Sequence, residues 1–194
     1  MNPHPTKGLR VIERISLITG NEGKAREYAT LLGIDVGAVK EDLIEIQSLD
    51  VVEVVKRKVQ DAYSKLQSPV LVDDTGLVLN AWNGLPGALV AWFLSSVGAQ
   101  GILDMAAGVN DRSATVTTAL GYADANGVGV FTGILQGTLT TERRGDGGFG
   151  YDSIFVPAGS DLTFAEMSSK QKNAISHRRL AVEELRKGLG ISNS

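Results

Sequence analysis

Ile15-Ser16-Leu17-Ile18-Thr19-Gly20-Asn21-Glu22-Gly23-Lys24 runs from a buried-strand pattern into a glycine-punctuated loop and on to a helix. The β-branched, apolar run over residues 15–19 predicts a strand. Residues 24–32 place Ala25, Tyr28, Ala29, Leu31 and Leu32 on one side of a helix, with Gly33 as its stop. Glycines between a strand and a helix let backbone N–H groups approach an anion, and the helix N-terminus adds partial positive charge. Lys24 would bring a full charge to a phosphate. The loop is not a Walker A motif: its glycine spacing is too short, and Ala25 follows the lysine where Ser or Thr would hold Mg²⁺. A plain strand–helix turn with a solvated lysine fits the same letters.

Outward from this unit, residues 51–66 predict a longer helix with Val51, Val55, Val59, Ala62 and Leu66 as its apolar stripe. Pro69 ends that segment. Residues 70–72 predict a strand, with Asp73 and Asp74 at its C-terminal end. Residues 84–87, GLPG, predict a turn, and residues 88–97 and 102–107 predict helices. Residues 113–123 and 128–139 are strand-like, and Asn126-Gly127 between them signals a hairpin. A glycine-rich loop over 144–150 precedes a strand at 153–156. Residues 168–176 and 178–187 predict helices, the first opened by a Ser168/Gln171 capping box. The class is α/β with a mixed sheet.

The chain has 194 residues, no cysteine and a net charge of −3. Its length suits a single domain over residues 15–190, preceded by a disordered leader over 1–14. Without cysteine there is no disulfide, thiolate–zinc or cysteine-nucleophile chemistry, which fits a cytoplasmic setting. A mildly acidic chain is a poor partner for duplex nucleic acid or an anionic membrane, and no apolar run is long enough to span one.

Three further clusters carry chemistry. Asp73-Asp74-Thr75-Gly76 offers two carboxylates and a hydroxyl suited to a hard cation. Neighbours in an extended segment point to opposite faces, so one carboxylate would reach metal or water while the other braces the loop. An acidic turn is the alternative. Gly145 to Asp152, GDGGFGYD, contains the letters G-x-G-x-x-G, but a strand follows where a dinucleotide site needs a helix. It is better read as a mobile loop presenting Phe149 and Tyr151 to a base, or as two core rings at a strand entry. Lys172-Asn173-Ala174-Ile175-Ser176-His177-Arg178 groups three cation-capable side chains at a helix junction. His177 and Arg178 at a helix start oppose its dipole, which a bound anion or keto oxygen would explain; a solvated charged stretch is the alternative. His4, in the leader, is assigned no role.

In this order, TGNEGK, DDTG, GLPG, GGFGYD and FAEMSSKQKNAISHR resemble the inosine triphosphate pyrophosphatase family, also called the Ham1 family. The resemblance runs from about Ile15 to Leu185 and is nearer the eukaryotic and archaeal branch. It implies a long mixed β-sheet flanked by helices, two lobes with a central cleft, and a homodimer. It implies hydrolysis of deaminated purine nucleoside triphosphates (ITP, dITP, XTP) to the monophosphate and pyrophosphate, with Mg²⁺ as cofactor.

By the same resemblance, Thr19, Gly20, Asn21, Glu22, Gly23 and Lys24 form the triphosphate loop, and Lys58 touches phosphate. Asp74 is the catalytic carboxylate and shares the metal with Glu45; Thr75 touches substrate. Phe149, Gly150, Tyr151 and Asp152 frame the base, Lys172 contacts phosphate or base, and His177 and Arg178 bond the base edge. One position departs: Ala91 stands where many members carry a basic residue, so a phosphate contact is lost or supplied elsewhere. A Maf-like pyrophosphatase of pyrimidine or modified nucleotides, and a nucleotide sensor without turnover, are the competing readings.

Overall fold

The computed structural model describes residues 14–190, and the proposed leader therefore lies, apart from Arg14, outside the described residues. The elements in chain order are β1 (Arg14–Ile18), α1 (Glu22–Leu32), β2 (Asp35–Val39), α2 (Val51–Leu66), β3 (Val70–Leu79), β4 (Pro86–Gly87), α3 (Val90–Met105), β5 (Ser113–Asp124), β6 (Gly127–Leu139), β7 (Phe155–Pro157), α4 (Ser169–Ile175) and α5 (His177–Leu189). Seven strands form one mixed sheet in the order β2-β1-β3-β5-β6-β7, with β4 also on β3. This is the α/β class with a mixed sheet that the sequence pattern implies, and the sheet is long and flanked by helices, as the family resemblance implies.

The main departure concerns β3. The sequence pattern ends that strand at Val72, whereas the strand continues for ten residues through Asp73-Asp74-Thr75-Gly76 to Leu79. The edges explain why the stretch still behaves as a strand end. β5 pairs with β3 along its whole length, from Val70↔Ala123 to Leu79↔Ala114. On the other edge, parallel β1 covers only Val70 to Val72, and antiparallel β4 covers only Leu77 and Val78. Between them, residues 73–76 have a free edge. The strand that ends here is β1, which leaves the sheet at Ile18 and turns into the TGNEGK loop.

Smaller departures have local causes. β2 escapes sequence reading because it is an edge strand with one buried residue, Val36, and Gly37 in its middle. The GLPG turn contributes Pro86-Gly87 as β4. α3 joins the two expected helices, but the backbone leaves helical geometry at Gly98 (φ 69°, ψ 179°), so the two-helix reading survives. Asp124 pairs with Gly127, so the hairpin loop is Ala125-Asn126, one residue earlier than the Asn-Gly signal suggests. The Asp124 carboxylate accepts the Asn126 N–H at 2.7 Å and holds that turn. β7 starts at Phe155 rather than Ser153.

Side chains alternate across β3, and that alternation distributes the core. Leu71 faces α1 and α5, where it packs with Leu17, Tyr28, Leu120, Val182 and Leu185. Val70 and Val72 face α2, against Val55, Val59 and Ala62. The far half of β3 gives Leu77 and Leu79 to a third cluster with Ile102, Val116, Phe155 and Phe164 under α3. The cleft lies between the helices over the near half of β3 and the elements over its far half.

α5 reaches the cleft because β6 lets it lie against the sheet. A methyl group at Gly133 would fall 2.0 Å from the His177 carbonyl oxygen and 2.4 Å from the Ala181 amide nitrogen. Both obstacles are backbone, so nothing can rotate aside. Gly133→Ala should therefore lower stability by about 1–3 kcal/mol, the range for overpacking, and Tm by several degrees. Gly108→Ala, with nothing within 4 Å of the added atom, should melt close to wild type. Calorimetry on the two variants checks this; equal melting temperatures would contradict the close seating of α5.

Candidate active site

Asp73 and Asp74 are adjacent in an extended strand, so their side chains leave on opposite faces. Asp73 shares the face of Leu71 and meets α1 and α5. Its carboxylate lies 3.1 Å from Lys24 Nζ and 3.9 Å from Arg178 Nε. Asp74 shares the face of Val72 and meets α2: its Oδ2 lies 3.8 Å from Lys58 Nζ, which is also 3.7 Å from Glu45 Oε2. Burial acts upward on the Asp73 carboxyl, but Lys24 and Arg178 outweigh it and hold the group below the usual carboxylate value. For Asp74 burial wins over the opposing pull of Lys58, and its carboxyl is raised. One carboxylate is thus a fixed anion inside the wall. The other is a more basic group open to the cleft.

α1 presents the loop. Asn21 caps the helix, its Oδ1 accepting the Lys24 N–H at 3.2 Å, and Thr19 Oγ1 accepts the Asn21 N–H at 3.0 Å. The helix starts two residues earlier than the apolar pattern indicates because this cap lies outside that pattern. Lys24 and Asn21 line the cleft, and Thr19 and Gly20 line its outer part. Glu22 does not join them: its side chain is 82% exposed and pairs with Arg26 at 3.5 Å. Gly23 is not part of the cleft lining either.

α4 and α5 bring the basic cluster. Ser176 closes α4 and caps α5, its Oγ accepting the Arg179 N–H at 3.2 Å. His177 and Arg178 therefore open α5, as the sequence reading holds. Arg178 is 2% exposed, and its Nη1 donates to Glu27 Oε2 at 2.9 Å. Nη1 is on Glu27 and Nε faces Asp73, the Tyr28 hydroxyl lies against the same guanidinium, and Arg178 lines the cleft. Its guanidinium lies 5.5 Å from the Phe149 ring centre, within cation–π range. His177 Nε2 shares a 3.1 Å hydrogen bond with the Tyr151 hydroxyl.

The glycine-rich loop is tied down rather than loose. Asp152 Oδ2 accepts the Phe149 N–H at 2.9 Å and the Lys172 ammonium at 2.7 Å. Gly148 adopts φ 71°, and a Cβ there would sit 2.1 Å from that same Asp152 oxygen. Gly148 thus allows closure around Asp152, while Gly145 and Gly147 lie against the backbone of Ala165. Lys172 Nζ also lies 4.8 Å over the Phe149 ring. It is buried behind Asp152 and the Phe149 ring and, like Glu22 and Gly23, does not line either part of the cleft. Tyr151 is buried and Phe149 half-buried, yet both line the cavity with Gly150, Asp152, His177 and Arg178, so core ring and pocket ring are not exclusive here.

These groups form one cleft with two compartments. The inner one is walled by Phe149, Tyr151, His177, Arg178 and the apolar Val90 and Leu94. The outer one is walled by Thr19, Gly20, Lys40, Glu45, Lys58 and Asp73. Lys24, Asp74 and Ala91 line both. Thr75 lines the inner side, and its hydroxyl lies 3.5 Å from that of Thr118.

Among the described residues no three acidic or histidine side chains gather as a preformed metal cage. Glu45 and Asp74 nevertheless suit Mg²⁺, which takes one or two carboxylates and completes its shell with phosphate and water oxygens. Asp74 Oδ2 has no hydrogen-bond partner despite its burial, as a ligand oxygen would.

Sequence reasoning misses Glu27 and leaves Asp73 without a partner. Glu27 and Arg178 are 151 residues apart, and nothing local links them. Removing one member of such a buried ionic group costs about 3–5 kcal/mol, because the other is left uncompensated.

Burial holds His177 well below the ordinary imidazole value, with Arg178, Lys172 and Lys24 adding to the effect. The unfolded chain takes up that proton near pH 6.5 and the folded chain does not. Stability from neutral His177 is therefore complete above about pH 6.5 and falls below it, by up to about 1.4 kcal/mol per pH unit. Denaturant titrations at pH 7.0, 6.0 and 5.5 should show this loss, and the His177→Gln variant should show a shallower one. Parallel pH profiles would contradict a neutral, buried imidazole.

The Ham1 family model matches residues 15–188. The dITP/XTP pyrophosphatase of Thermococcus kodakarensis is 39% identical over 174 residues, covering 88% of this chain and 94% of that protein. The inosine triphosphate pyrophosphatase of Yarrowia lipolytica is 42% identical over 177 residues, covering 89% and 93%. Among solved structures, a HAM1 protein from Coxiella burnetii superposes with a TM-score of 0.80 at 29% identity, covering 92% of this chain and 99% of that one. With the match spanning both compartments of the cleft, this chain belongs to the Ham1 family.

Proposed function

We propose that this chain, as one catalytic domain over residues 15–190, hydrolyses ITP, dITP and XTP to the monophosphate and pyrophosphate with Mg²⁺. The observation that carries the reading is the shared wall. A ring-lined compartment and a lysine-lined compartment meet at Asp74, so a nucleotide with its base in one has its first phosphate beside that carboxylate.

The inner compartment holds the base against Phe149 and Tyr151. Arg178 Nη2 donates to a 6-keto oxygen; a 6-amino group there faces a donor. An unpaired buried polar group costs about 1–3 kcal/mol, hence roughly 10- to 100-fold against adenine. Lys172, held by Asp152, acts on the base side. Lys24 and Lys58 balance the phosphates.

Asp74, its basicity raised by burial, orients a water and takes its proton. The water oxygen bonds to the α-phosphorus, the bridging P–O bond breaks, and pyrophosphate leaves. Mg²⁺ held by Glu45 and Asp74 would neutralise phosphate charge and lower the pKa of nearby water. Asp73 does not react; it fixes Lys24 and Arg178 from behind. Nucleoside triphosphate substrates support a cytoplasmic setting. Among the described residues no helix is long and apolar enough to cross a membrane. A homodimer is the proposed assembly, and Trp92, 70% exposed beside Leu89 and Phe93, offers apolar surface for a second copy to cover.

Pyrophosphate release across ITP, dITP, XTP, GTP, ATP and the pyrimidine triphosphates tests the reading. The first three should exceed ATP by at least about tenfold in kcat/KM; a pyrimidine preference would overturn it. Asp74→Asn should lower turnover by at least about a hundredfold with Tm within a few degrees of wild type; near-normal turnover would remove Asp74 from the chemistry. Arg178→Lys keeps the charge beside Glu27 but loses the planar fork. It should narrow the ITP-to-ATP ratio, and an unchanged ratio would reject the base-edge role.

A further inference from the structure

The outer compartment holds more negative than positive charge. Its walls carry three lysines, Lys24, Lys40 and Lys58, against five carboxylates, Glu41, Asp42, Glu45, Asp73 and Asp74. A triphosphate adds still more negative charge, so each uncommitted cation matters. Two of the three lysines are committed: Lys24 to Asp73 at 3.1 Å, and Lys58 between Glu45 and Asp74. Lys40 is exposed and has no carboxylate within ion-pair distance among the described residues. Ala91, on the wall shared by both compartments, brings no charge.

The topology puts Lys40 there. β2, β1 and β3 are parallel neighbours, and their chains leave at the same end. At that end stand Thr19 after β1, Lys40 after β2 and Asp73 after the part of β3 that β1 covers. Ligands in open α/β sheets bind outside the carboxyl ends of parallel strands. The Thr19 N–H donates to the Val39 carbonyl at 2.9 Å, so the first residue of the phosphate loop is held against the residue before Lys40. Lys40 lines the outer compartment and not the inner one, which sets it beyond Asp74 as seen from the base.

We propose that Lys40 binds the β- and γ-phosphates of the bound nucleotide, the part that leaves as pyrophosphate, and supplies the one uncommitted positive charge that the described residues bring to the groove. The proposal rests on the pyrophosphatase reading above and adds a substrate contact to it. The contact is exposed and forms equally in substrate and transition state, so it acts on binding more than on rate.

The test compares wild type, Lys40→Ala and Lys40→Arg by calorimetry with magnesium pyrophosphate, by inhibition with inosine monophosphate, and by ITP kinetics. Lys40→Ala should weaken pyrophosphate and raise the KM for ITP by about three- to tenfold, the scale of a charge-assisted contact discounted for solvent. The kcat should stay within about twofold, and Lys40→Arg should recover most of the loss. Inosine monophosphate inhibition and Tm should not change, and the pyrophosphate difference should shrink as salt rises. Unchanged pyrophosphate affinity in Lys40→Ala overturns the proposal. So does an equal loss of pyrophosphate and monophosphate affinity, which marks a disturbance of the whole cleft. If wild type releases no pyrophosphate from any triphosphate, the pyrophosphatase reading fails, and the pyrophosphate binding comparison still decides whether Lys40 is a phosphate contact.

Discussion

The free edge of β3 at residues 73–76 is the constraint on which the site depends. A strand in mid-sheet normally has both edges paired, and an unpaired edge must be managed. Here β1 stops at Val72 on that edge and β4 begins at Leu77. The gap is where the β1–α1 loop turns out of the sheet, and it is the mouth of the cleft. β5 holds the other edge along its full length. The carboxylates therefore sit on rigid extended backbone, not on a loop. In the proposed reaction that rigidity would matter, because a group that orients a water must hold its geometry to within a fraction of an ångström.

From that strand the pleat separates the two aspartates by role. The face that carries Leu71 looks onto α1 and α5, so Asp73 meets Lys24 and Arg178. The face that carries Val72 looks onto α2, so Asp74 meets Lys58. The opposite pKa directions follow from these neighbours: Lys24 and Arg178, helped by Lys58, overcome burial of Asp73, whereas Lys58 and Lys24 do not overcome burial of Asp74, which the Asp73 charge also raises. The same sheet positions Arg178, since Gly133 on β6 lets the first turn of α5 lie against it.

The amino-acid pattern makes much of this legible, for reasons that differ by element. α2 is readable because a half-buried helix repeats every three to four residues, and Val51, Val55, Val59 and Ala62 do so. The β5–β6 pair is readable because a turn signal separates two long strand-like runs, though the Asp124 cap moves the loop one residue earlier. β2 is hidden because an edge strand that buries one valine has no alternation to show. The continuation of β3 is hidden for a different reason. Acidic residues lower strand propensity, and only the paired β5 and the partners from α1, α2 and α5 overcome that preference. Within the site, local clusters are visible and the bonds between them are not. Lys172 and Asp152 can be singled out as polar residues, but their mutual bond and its orientation toward Phe149 come from tertiary packing.

Buried charge in this cleft is best understood as a scaffold that fixes one guanidinium at its wall. Glu27 and Asp73 hold Arg178 on two sides, and the ring of Phe149 lies over its guanidinium. Such a group gives no assured stability, because desolvation offsets much of the ion pairing. What it does give is direction: with Nη1 and Nε turned to carboxylates, the side chain cannot rotate to offer a different face. A lysine at the same place would present three equivalent donors on a flexible stem and would adapt to more than one base edge. Discrimination between a keto and an amino group needs a donor that does not adapt. In the proposed function the guanidinium would meet that need because the carboxylates behind it fix its orientation, and the chain places those carboxylates on α1 and β3, the two elements that also carry Lys24 and Asp74.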